Sequence, residues 1–288
     1  MKQLFDEPMK NHTTFRVGGP ADRFLVPESE ADVKEAIAIC KAENVPYYII
    51  GNGSNLLVAD AGYRGTVIQI YRAMSEVKVE GNLIYAQAGA LLSQIAAKAL
   101  ANSLTGFEFA AGIPGTLGGA CVMNAGAYGG EMKDVLKEVK VVTLDGEFLT
   151  LKADQLELGY RTSIIQKKGY IVVGATIELK EGDAAAIRAY MNELRDKRTS
   201  KQPLEYPSAG STFKRPAGYF AGKLIQDAGL RGFSVGGAQV SEKHCGFVIN
   251  KDHATAADIR ELMRQVSDRV YENAGVRLEA EVKQLGEF

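Results

Sequence analysis

The sequence predicts an α+β protein, and three features of the chain favour this class. The first fifty residues alternate between strand and helix patterns and end where the apolar run 45–50 meets a glycine-rich loop. The middle of the chain carries mostly strand patterns. After Gly182 the pattern changes to helices, with a proline-containing stretch and a strand between them. Separate runs of strands and helices are typical of α+β domains.

In the first two thirds of the chain, apolar residues at helical spacing predict a helix over 30–44 with Ser29 as its N-cap. A second helix, over 93–101, interrupts the β-rich middle. Asp145–Gly146 between two strand-like runs predicts a hairpin turn. The strands expected in this region are 66–70, 83–88, 139–144 and 171–179.

The last third begins with a helix predicted over 184–198, which places Ile187, Tyr190, Met191 and Leu194 on one face. Its basic end leads into a linker-like stretch with two prolines, so we expect a domain boundary near residue 185. A strand over 245–250 follows. A long final helix starts at Thr255, where Asp258 completes a capping box. Its predicted core stripe is Ile259, Leu262, Met263, Val266 and Val270.

The composition excludes several classes of protein. A net charge of −1 disfavours nucleic acid as a partner, because neutralising many phosphates requires a basic excess. Cys40, Cys121 and Cys245 lack metal-ligand spacing, so no metal site is expected, and reduced thiols are typical of the cytoplasm. Residues 1–6 show no signal peptide, and no run of about 18 apolar residues could cross a membrane. We therefore expect a cytoplasmic protein without a membrane partner.

The first glycine-rich loop, Gly51–Asn55 (GNGSN), directly follows the predicted strand 45–50. Glycines let the backbone approach a ligand closely and point consecutive N–H groups at phosphate oxygens. The three-glycine dinucleotide fingerprint fails, because Leu56 stands where the third glycine is required. The loop therefore predicts either an ordinary turn or a phosphate site built from Gly51, Asn52, Gly53, Ser54 and Asn55.

The second glycine-rich loop, Ala111–Ala120 (AGIPGTLGGA), is denser in glycine and is followed at once by Asn124–Gly130 (NAGAYGG). Pro114–Gly115 predicts a turn, and the later glycines keep side chains out of the way. Such a segment indicates either a sheet corner made of small residues or a backbone that approaches a ligand, and its density favours the ligand. The predicted binding residues are Gly112, Ile113, Pro114, Gly115, Thr116, Gly118, Gly119 and Gly126.

Seven motifs in fixed order identify a family. Together they resemble the UDP-N-acetylenolpyruvoylglucosamine reductase family, flavoenzymes of the second step of peptidoglycan precursor synthesis. The resemblance covers nearly the whole chain, and the set is specific although single members are not. The motifs are Asn11–Gly19 (NHTTFRVGG), Gly51–Leu57 (GNGSNLL), Gly112–Gly119 (GIPGTLGG), Asn124–Gly129 (NAGAYG), Gly159–Ser163 (GYRTS), Ser208–Lys214 (SAGSTFK) and Leu278–Val282 (LEAEV).

The resemblance implies a two-subdomain FAD-binding module of the vanillyl-alcohol-oxidase type followed by an α+β substrate domain. We expect the module over 1–184, with subdomains of about 1–65 and 66–184, and the substrate domain over 185–288. The last strand is left open to either domain. Both glycine-rich loops are then expected to cradle the FAD pyrophosphate, with the FAD bound non-covalently.

The chain also resembles the short branch of that family. The longer branch has an inserted loop whose Tyr folds over the substrate. Here Gly182 leads directly into the helix predicted from Ala184, so the insertion is absent. What closes over the nucleotide end of the substrate is left open.

The reaction implied by the resemblance adds a hydride and a proton across the enol-ether bond of UDP-N-acetylglucosamine enolpyruvate, giving UDP-N-acetylmuramate. NADPH is the reductant and FAD the carrier. The resemblance assigns the substrate carboxylate to Arg161, whose guanidinium can bind two oxygens at once. It assigns the proton transfer to Ser211 and the polarisation or protonation of the developing enolate to Glu281. These three are the predicted catalytic residues.

Further assignments implied by the resemblance concern substrate binding. Lys201 and Lys214 fit contacts to the substrate phosphates or carboxylate, and His244 fits the nucleotide sugar region. Tyr128 either lines the cleft or packs in the core, and Arg16 either lies beside the flavin phosphates or pairs locally. The oligomeric state is not determined by the sequence, although a monomer is favoured.

Two other functions stay open at the level of the sequence. One is an oxidase or dehydrogenase of another small substrate on the same scaffold, some of whose members bind flavin covalently through His or Cys. Cys121 directly follows the second loop, so its position allows such a linkage. The other is a non-catalytic protein that binds a nucleotide or sugar, for which Arg161, Ser211 and Glu281 would have no shared role.

Overall fold

The computed structural model describes residues 1–288 and contains strands and helices throughout the chain. The strands are β1 (Lys2–Pro8), β2 (Pro20–Val26), β3 (Tyr47–Ile50), β4 (Leu56–Val58), β5 (Tyr63–Gln69), β6 (Val77–Glu80), β7 (Leu83–Gln87), β8 (Leu104–Thr105), β9 (Gly126–Ala127), β10 (Gly130–Glu131), β11 (Leu136–Val142), β12 (Phe148–Lys152), β13 (Ile171–Glu178), β14 (Lys180–Glu181), β15 (Ser234–Val235), β16 (Ala238–Val240), β17 (Val248–Asn250) and β18 (Lys283–Leu285). The α-helices are α1 (Glu30–Ala42), α2 (Leu92–Ala101), α3 (Leu117–Met123), α4 (Ile164–Lys168), α5 (Ala184–Lys201), α6 (Ala221–Asp227) and α7 (Ala256–Ala274).

The chain divides into two compact units, each assembled from separated stretches of sequence. The first unit comprises Met1–Leu4, Arg23–Asn52 and Gly65–Arg198. The second unit comprises Phe5–Asp22, Gly53–Arg64 and Thr199–Phe288. The division into an FAD-binding module over 1–184 and a substrate domain over 185–288 stays a prediction.

The first unit is built around an antiparallel five-stranded sheet with the strand order β12-β11-β13-β7-β6. The predicted hairpin at Asp145–Gly146 is confirmed, because β11 pairs with β12 and Gly146 adopts a φ of +81°. The predicted strands 83–88, 139–144 and 171–179 are confirmed as β7, β11 and β13, with shifts at their ends. Strand β6 was not predicted from the sequence, and it forms one edge of this sheet.

Helix α1 and strand β3 follow the prediction closely. The hydroxyl of Ser29 accepts the N–H of Asp32 at 3.1 Å, which confirms the predicted N-cap. Strand β3 is the edge strand of a four-stranded sheet with the order β1-β2-β5-β3. It pairs in parallel with β5, which lies inside the sheet. Helix α5 buries Ile187 and Leu194 as expected, while Tyr190 on the same face remains 43% exposed.

The second glycine-rich loop contains a helix that the sequence did not predict. Residues Leu117–Met123 form α3, so Gly118 and Gly119 lie in its first turn and the predicted loop over 111–120 is wrong in its second half. Helix α3 packs on β13 of the same unit. A Cβ at Gly118 would lie 3.2 Å from the Cβ of Ala88, so a larger residue there would press on Ala88.

The second unit packs two helices and short strands around its own core. The predicted capping box of α7 is confirmed, because Thr255 and Asp258 exchange side-chain-to-backbone hydrogen bonds at 3.0 Å. The predicted stripe of α7, from Ile259 to Val270, is fully buried. The predicted strand 245–250 is shortened to β17, the edge of the antiparallel sheet β15-β16-β17. Strand β18 pairs in parallel with β4.

Candidate active site

Loop one, Gly51–Asn55, follows β3 as predicted and leaves part of its backbone unpaired. The N–H groups of Asn52, Gly53 and Ser54 donate to no acceptor within the protein. Gly53 has a φ of +60°, and a Cβ there would collide with the carbonyl of His12. Consecutive N–H groups without acceptors are suited to bind the oxygens of a phosphate.

Loop two contacts loop one within the first unit. The side-chain amide of Asn52 donates to the carbonyl of Pro114 at 2.7 Å. Gly51 lies against the hydroxyl of Thr116, where a Cβ would overlap the side chain. The two loops are therefore in direct contact, and an alanine at position 51 would displace the side chain of Thr116.

A single side chain of α5 braces the start of loop two. The guanidinium of Arg198 donates to the carbonyl of Gly112, and a Cβ at Gly112 would lie 2.9 Å from Nε of Arg198. The same guanidinium lies 5.9 Å from the ring centroid of Tyr128. Tyr128 lies in the β9–β10 hairpin with a φ of +54°. Its side chain is 41% exposed, so it does not pack in the core, which was one of the two predicted alternatives.

The glycines of loop two differ in what surrounds them. Gly126 faces Glu131 and Gly130, so its neighbours already fill the space of a side chain. At Gly119 a Cβ would meet only the hydroxyl of Thr116, 3.9 Å away. The N–H groups of Gly115, Thr116 and Gly119 also donate to no acceptor within the protein. Open space beside unpaired N–H groups is what the diphosphate of a dinucleotide requires, so these residues fit FAD.

Arg161 lies on a tight two-residue turn of the first unit. Gly159 and Thr162 flank it and bond to each other through both backbone N–H groups, at 3.1 and 3.3 Å. Arg161 itself is left-handed with a φ of +56°, a conformation that costs an L-residue about 1–2 kcal/mol. Its guanidinium lies 5.1 Å from the ring centroid of Tyr160. Strain of this kind clusters at functional sites, which supports a role for Arg161.

The side chains of Asn124 and Ser163, to which no role was assigned from the sequence, connect this turn to the end of α3. Asn124, the left-handed C-cap of α3, donates its amide to the carbonyl of Gly159 at 3.1 Å. Ser163 donates its hydroxyl to the carbonyl of Val122 at 2.7 Å and caps α4. Both residues belong to quoted motifs, but their partners lie 35 and 41 residues away in the chain.

Ser211 and Glu281 lie on two short segments of the second unit that pair with each other. The N–H of Glu281 donates to the carbonyl of Thr212 at 2.9 Å, and Phe213 forms an antiparallel bridge with Ala280. Ser211 is exposed, and its hydroxyl forms no hydrogen bond within the protein. The predicted proton donor and the predicted carboxylate are thus carried by neighbouring backbone segments.

The two glutamates of the LEAEV motif differ in their surroundings. Glu281 is 9% exposed, and its carbonyl accepts the side-chain amide of Asn55 at 3.1 Å. Glu279 is exposed and forms an ion pair with Lys214. Glu279 is therefore the solvated glutamate of the pair. Lys214 has its ammonium committed to a neighbouring carboxylate.

The remaining residues predicted to contact the substrate, Lys201 and His244, both belong to the second unit. Lys201 is the last residue of α5. Lys201 is exposed. Nδ1 of His244 accepts the N–H of Gly246 at 3.1 Å, which leaves Nε2 as the protonated nitrogen. Burial lowers the pKa of His244 below its ordinary value, and the charges of Arg231 and Lys201 act in the same direction. No group of His, Cys, Asp and Glu side chains is arranged to bind a metal ion.

Comparison with known proteins decides the family. Residues 202–285 match the family described as UDP-N-acetylenolpyruvoylglucosamine reductase, C-terminal domain, and residues 21–152 match the family described as FAD binding domain. The UDP-N-acetylenolpyruvoylglucosamine reductase of Alkaliphilus oremlandii is 56% identical over 284 residues, which cover 99% of this chain and 93% of the relative. The chain belongs to the UDP-N-acetylenolpyruvoylglucosamine reductase family.

Other members of the reductase family support this assignment. The reductase of Agathobacter rectalis is 57% identical over 297 residues, covering 99% of this chain and 94% of the relative. The crystal structure of UDP-N-acetylenolpyruvylglucosamine reductase from Thermus caldophilus superposes with a TM-score of 0.84 at 36% identity, covering 99% of this chain and 98% of that one. The predicted family, fold class, FAD cofactor and enzyme class, an FAD-dependent oxidoreductase, are confirmed.

The reductase family assignment leaves the individual site residues as predictions, and the structure bears on one alternative. Cys121, the residue considered for a covalent flavin, is fully buried in α3. Burial raises the pKa of Cys121 to about 12, so its thiol stays protonated at neutral pH. A protonated thiol without solvent access is a poor nucleophile toward a flavin ring. No helix of the chain is both long and apolar enough to cross a membrane.

Proposed function

We propose that this chain reduces UDP-N-acetylglucosamine enolpyruvate to UDP-N-acetylmuramate in the cytoplasm, as a step of peptidoglycan precursor synthesis. The overall reaction consumes NADPH and one proton, which together supply the two hydrogens added across the enol-ether bond. The observation that carries the proposal is the near-full-length likeness to named reductases at 54–57% identity. We propose that the substrate is a small nucleotide-linked sugar and that no nucleic acid or membrane takes part.

FAD, when bound, carries a hydride equivalent from NADPH to the terminal enolpyruvyl carbon of the substrate. We propose that the unpaired N–H groups of both glycine-rich loops hold its diphosphate. These unpaired groups belong to Asn52, Gly53, Ser54, Gly115, Thr116 and Gly119. We propose that the other residues of the two loops line the cofactor without donating an N–H group: Gly51, Asn55, Gly112, Ile113, Pro114, Gly118 and Gly126. The close contact between Asn52 and Pro114 supports a shared role, because it holds the two loops together without ligand.

Arg161 is proposed to bind the substrate carboxylate. A guanidinium offers two parallel N–H donors to the two oxygens of a carboxylate, which fixes the orientation of the double bond. Negative charge moves onto this carboxylate as the bond is reduced, so Arg161 stabilises the transition state more than the bound substrate. The left-handed backbone of the turn supports a positioned rather than a freely moving guanidinium.

Ser211 is proposed to donate the proton to the carbon next to the carboxylate, and Glu281 to help polarise or protonate the developing enolate. Ser211 suits this role because its hydroxyl is exposed and its proton is not committed to another acceptor. Glu281 suits it because its side chain is largely removed from water, where a carboxyl group acts more strongly on a nearby charge.

Tyr128, Lys201, Lys214 and His244 are proposed to contact the substrate. Lys201 supports a phosphate contact by its exposure, whereas Lys214 would first have to leave Glu279. His244 can donate only through Nε2, because Nδ1 accepts the N–H of Gly246. Tyr128 presents its ring beside Arg198 at the end of loop two.

The deciding experiment follows NADPH oxidation at 340 nm by the flavin-loaded protein, with and without UDP-N-acetylglucosamine enolpyruvate. We expect oxidation that depends on the substrate and stops when the substrate is consumed, with UDP-N-acetylmuramate as the product. Oxidation that ignores this substrate would overturn the proposal. Acid precipitation of the same sample should leave the yellow colour in the supernatant, whereas colour in the pellet would indicate a covalently attached flavin.

A further inference from the structure

Glu131, at the end of β10, is an acidic residue that contacts Asn124 and has no role in the reaction as proposed above. Its Oε2 accepts the side-chain amide of Asn124 at 2.8 Å and lies 3.0 Å from Nζ of Lys133. The hydrogen bond from Lys133 is the main reason that the pKa of Glu131 lies below its ordinary value, and Asn124 and the guanidinium of Arg161 act in the same direction against burial. Glu131 is therefore a carboxylate whose charged form is held by Lys133 and Asn124.

Asn124 connects Glu131 to the backbone of the turn. Its side chain is 1% exposed, and both amide N–H groups are used: one bonds Glu131 and the other bonds the carbonyl of Gly159. Its Oδ1 accepts the N–H of Lys133 at 2.9 Å. A buried amide with all of these partners has one allowed orientation, because any rotation leaves a buried polar group unpaired.

We propose that Asn124 and Glu131 are positioning residues for Arg161, Asn124 by fixing the turn at Gly159 and Glu131 by holding the amide of Asn124. The inference rests on the proposed role of Arg161 in binding the substrate carboxylate. A bidentate contact requires the guanidinium to be placed within about 0.5 Å, and the long side chain of Arg does not supply this precision alone. Misplacement of about 1 Å lowers a rate by about 100-fold.

The turn needs such support because its own hydrogen bonds do not define where it lies. The backbone N–H groups of Gly159 and Thr162 bond only to each other's carbonyls, so the turn is closed but is not part of a sheet. Ser163 fixes its C-terminal side through Val122, and Asn124 fixes its N-terminal side through Gly159. Both anchors come from the last residues of α3, so one helix end determines the position of Arg161.

Three substitutions separate the parts of this network. Glu131→Gln keeps an oxygen for the amide of Asn124 but removes the negative charge that strengthens this hydrogen bond. Asn124→Asp keeps the acceptor for Lys133 and tolerates the left-handed backbone, but it removes both N–H donors. Asn124→Gly also keeps the left-handed backbone and removes the whole side chain. The matched control is Glu157→Gln, which removes an exposed carboxylate that pairs with Lys167, two residues before Gly159.

The experiment measures the two half-reactions of the holoenzyme separately by stopped-flow absorbance of the flavin. For Glu131→Gln we expect reduction by NADPH within about 2-fold of wild type and reoxidation by the enolpyruvyl substrate slowed about 10-fold; for Asn124→Asp the slowing should approach about 100-fold. Substrate affinity of the oxidised holoenzyme, measured by calorimetry, should weaken in the same order. Glu157→Gln should match wild type in all three measurements.

A double-mutant cycle distinguishes positioning from a general structural role. In an Arg161→Ala background, Glu131→Gln should slow reoxidation by less than about 2-fold more, because its effect acts through the missing guanidinium. Equal effects in both backgrounds, or equal loss in both half-reactions, would overturn the inference. If Asn124→Asp does not fold, Glu131→Gln and the cycle still decide it. If Arg161→Ala itself leaves reoxidation intact, the proposed function of Arg161 fails instead.

Discussion

Ser163 donates its hydroxyl to the carbonyl of Val122 at 2.7 Å, although 41 residues separate them in the chain. The same oxygen accepts the N–H of Gln166 at 3.2 Å and so caps α4. This fully buried side chain joins the last turn of α3 to the segment that follows Arg161.

Replacing Ser163 by Ala should therefore destabilise the protein by about 1–3 kcal/mol, because the carbonyl of Val122 and an N-terminal N–H group of α4 lose their partner. Denaturant unfolding of the FAD-loaded protein measures this change. Ser75→Ala is the control, since Ser75 makes the same type of bond, to the carbonyl of Arg72, at an exposed site. A loss at Ser163 no larger than the control's would contradict the proposed anchoring.

Glu281 and Glu279 form a natural pair for testing the carboxylate assignment, since they are two residues apart and differ in exposure. Glu281→Gln should lower turnover by about 100-fold or more, the usual effect of removing a group that acts on a proton in the transition state. Glu279→Gln breaks only the exposed ion pair with Lys214 and should change turnover by less than about 2-fold. Steady-state rates at saturating NADPH and substrate measure both. Similar rates in the two variants would exclude the role of Glu281.

The sequence predicted well those elements whose signals are local. The capping box and apolar stripe of α7 lie within one helix, and the Asp145–Gly146 turn carries its own signal. Helix α3 was missed because two adjacent glycines each disfavour a helix by about 1 kcal/mol, and packing on β13 overrides this preference. The strand predicted from Cys245 begins only at Val248, since the N–H groups of Gly246 and Phe247 turn back to His244.

The candidate site shows the same limit. Motifs identified Arg161, Ser211 and Glu281 as single residues, because each lies in a recognisable segment. The left-handed backbone of Arg161 and the amide contacts of Asn124 depend on partners far along the chain, which no local pattern encodes. Glycines were also ambiguous in sequence: Gly118 packs on Ala88, whereas Gly119 faces open space.

This difference between Gly118 and Gly119 gives a test of the cofactor site. Gly119→Ala should leave the FAD-free protein as stable or stabilise it by up to about 1 kcal/mol, because Ala favours the helix and its Cβ has room. The same methyl group would occupy the space proposed for FAD, so FAD affinity should fall about 10-fold or more, about 1.4 kcal/mol. Fluorescence titration with FAD and thermal melting of the FAD-free protein measure the two effects. Gly118→Ala should instead lower stability. An unchanged FAD affinity in Gly119→Ala would show that Gly119 does not contact FAD.

His244 should make stability depend on pH below neutrality. Because burial lowers its pKa in the folded state, the unfolded chain binds a proton more readily near the ordinary value of 6.5. Stability from this residue is therefore fully present above about pH 6.5 and is lost as the pH falls. Melting temperatures between about pH 7.5 and 5.5 should fall more steeply for wild type than for His244→Gln. Parallel curves would show that the folded protein accommodates a charged His244.

Substitutions of Ser211 and its neighbour Thr212 should have different effects, on turnover at Ser211 and on stability at Thr212. Thr212 is fully buried and its hydroxyl accepts the N–H of Val248 at 2.9 Å, so Thr212→Val should lower stability by about 1–3 kcal/mol. Ser211 is exposed and its hydroxyl has no partner in the protein, so Ser211→Ala should leave the melting temperature unchanged. In Ser211→Ala the flavin should be reduced by NADPH at the normal rate. Turnover should fall by about 100-fold or more, because only the second half-reaction needs the proton. Equal loss in both half-reactions of Ser211→Ala would show that Ser211 is not the proton donor.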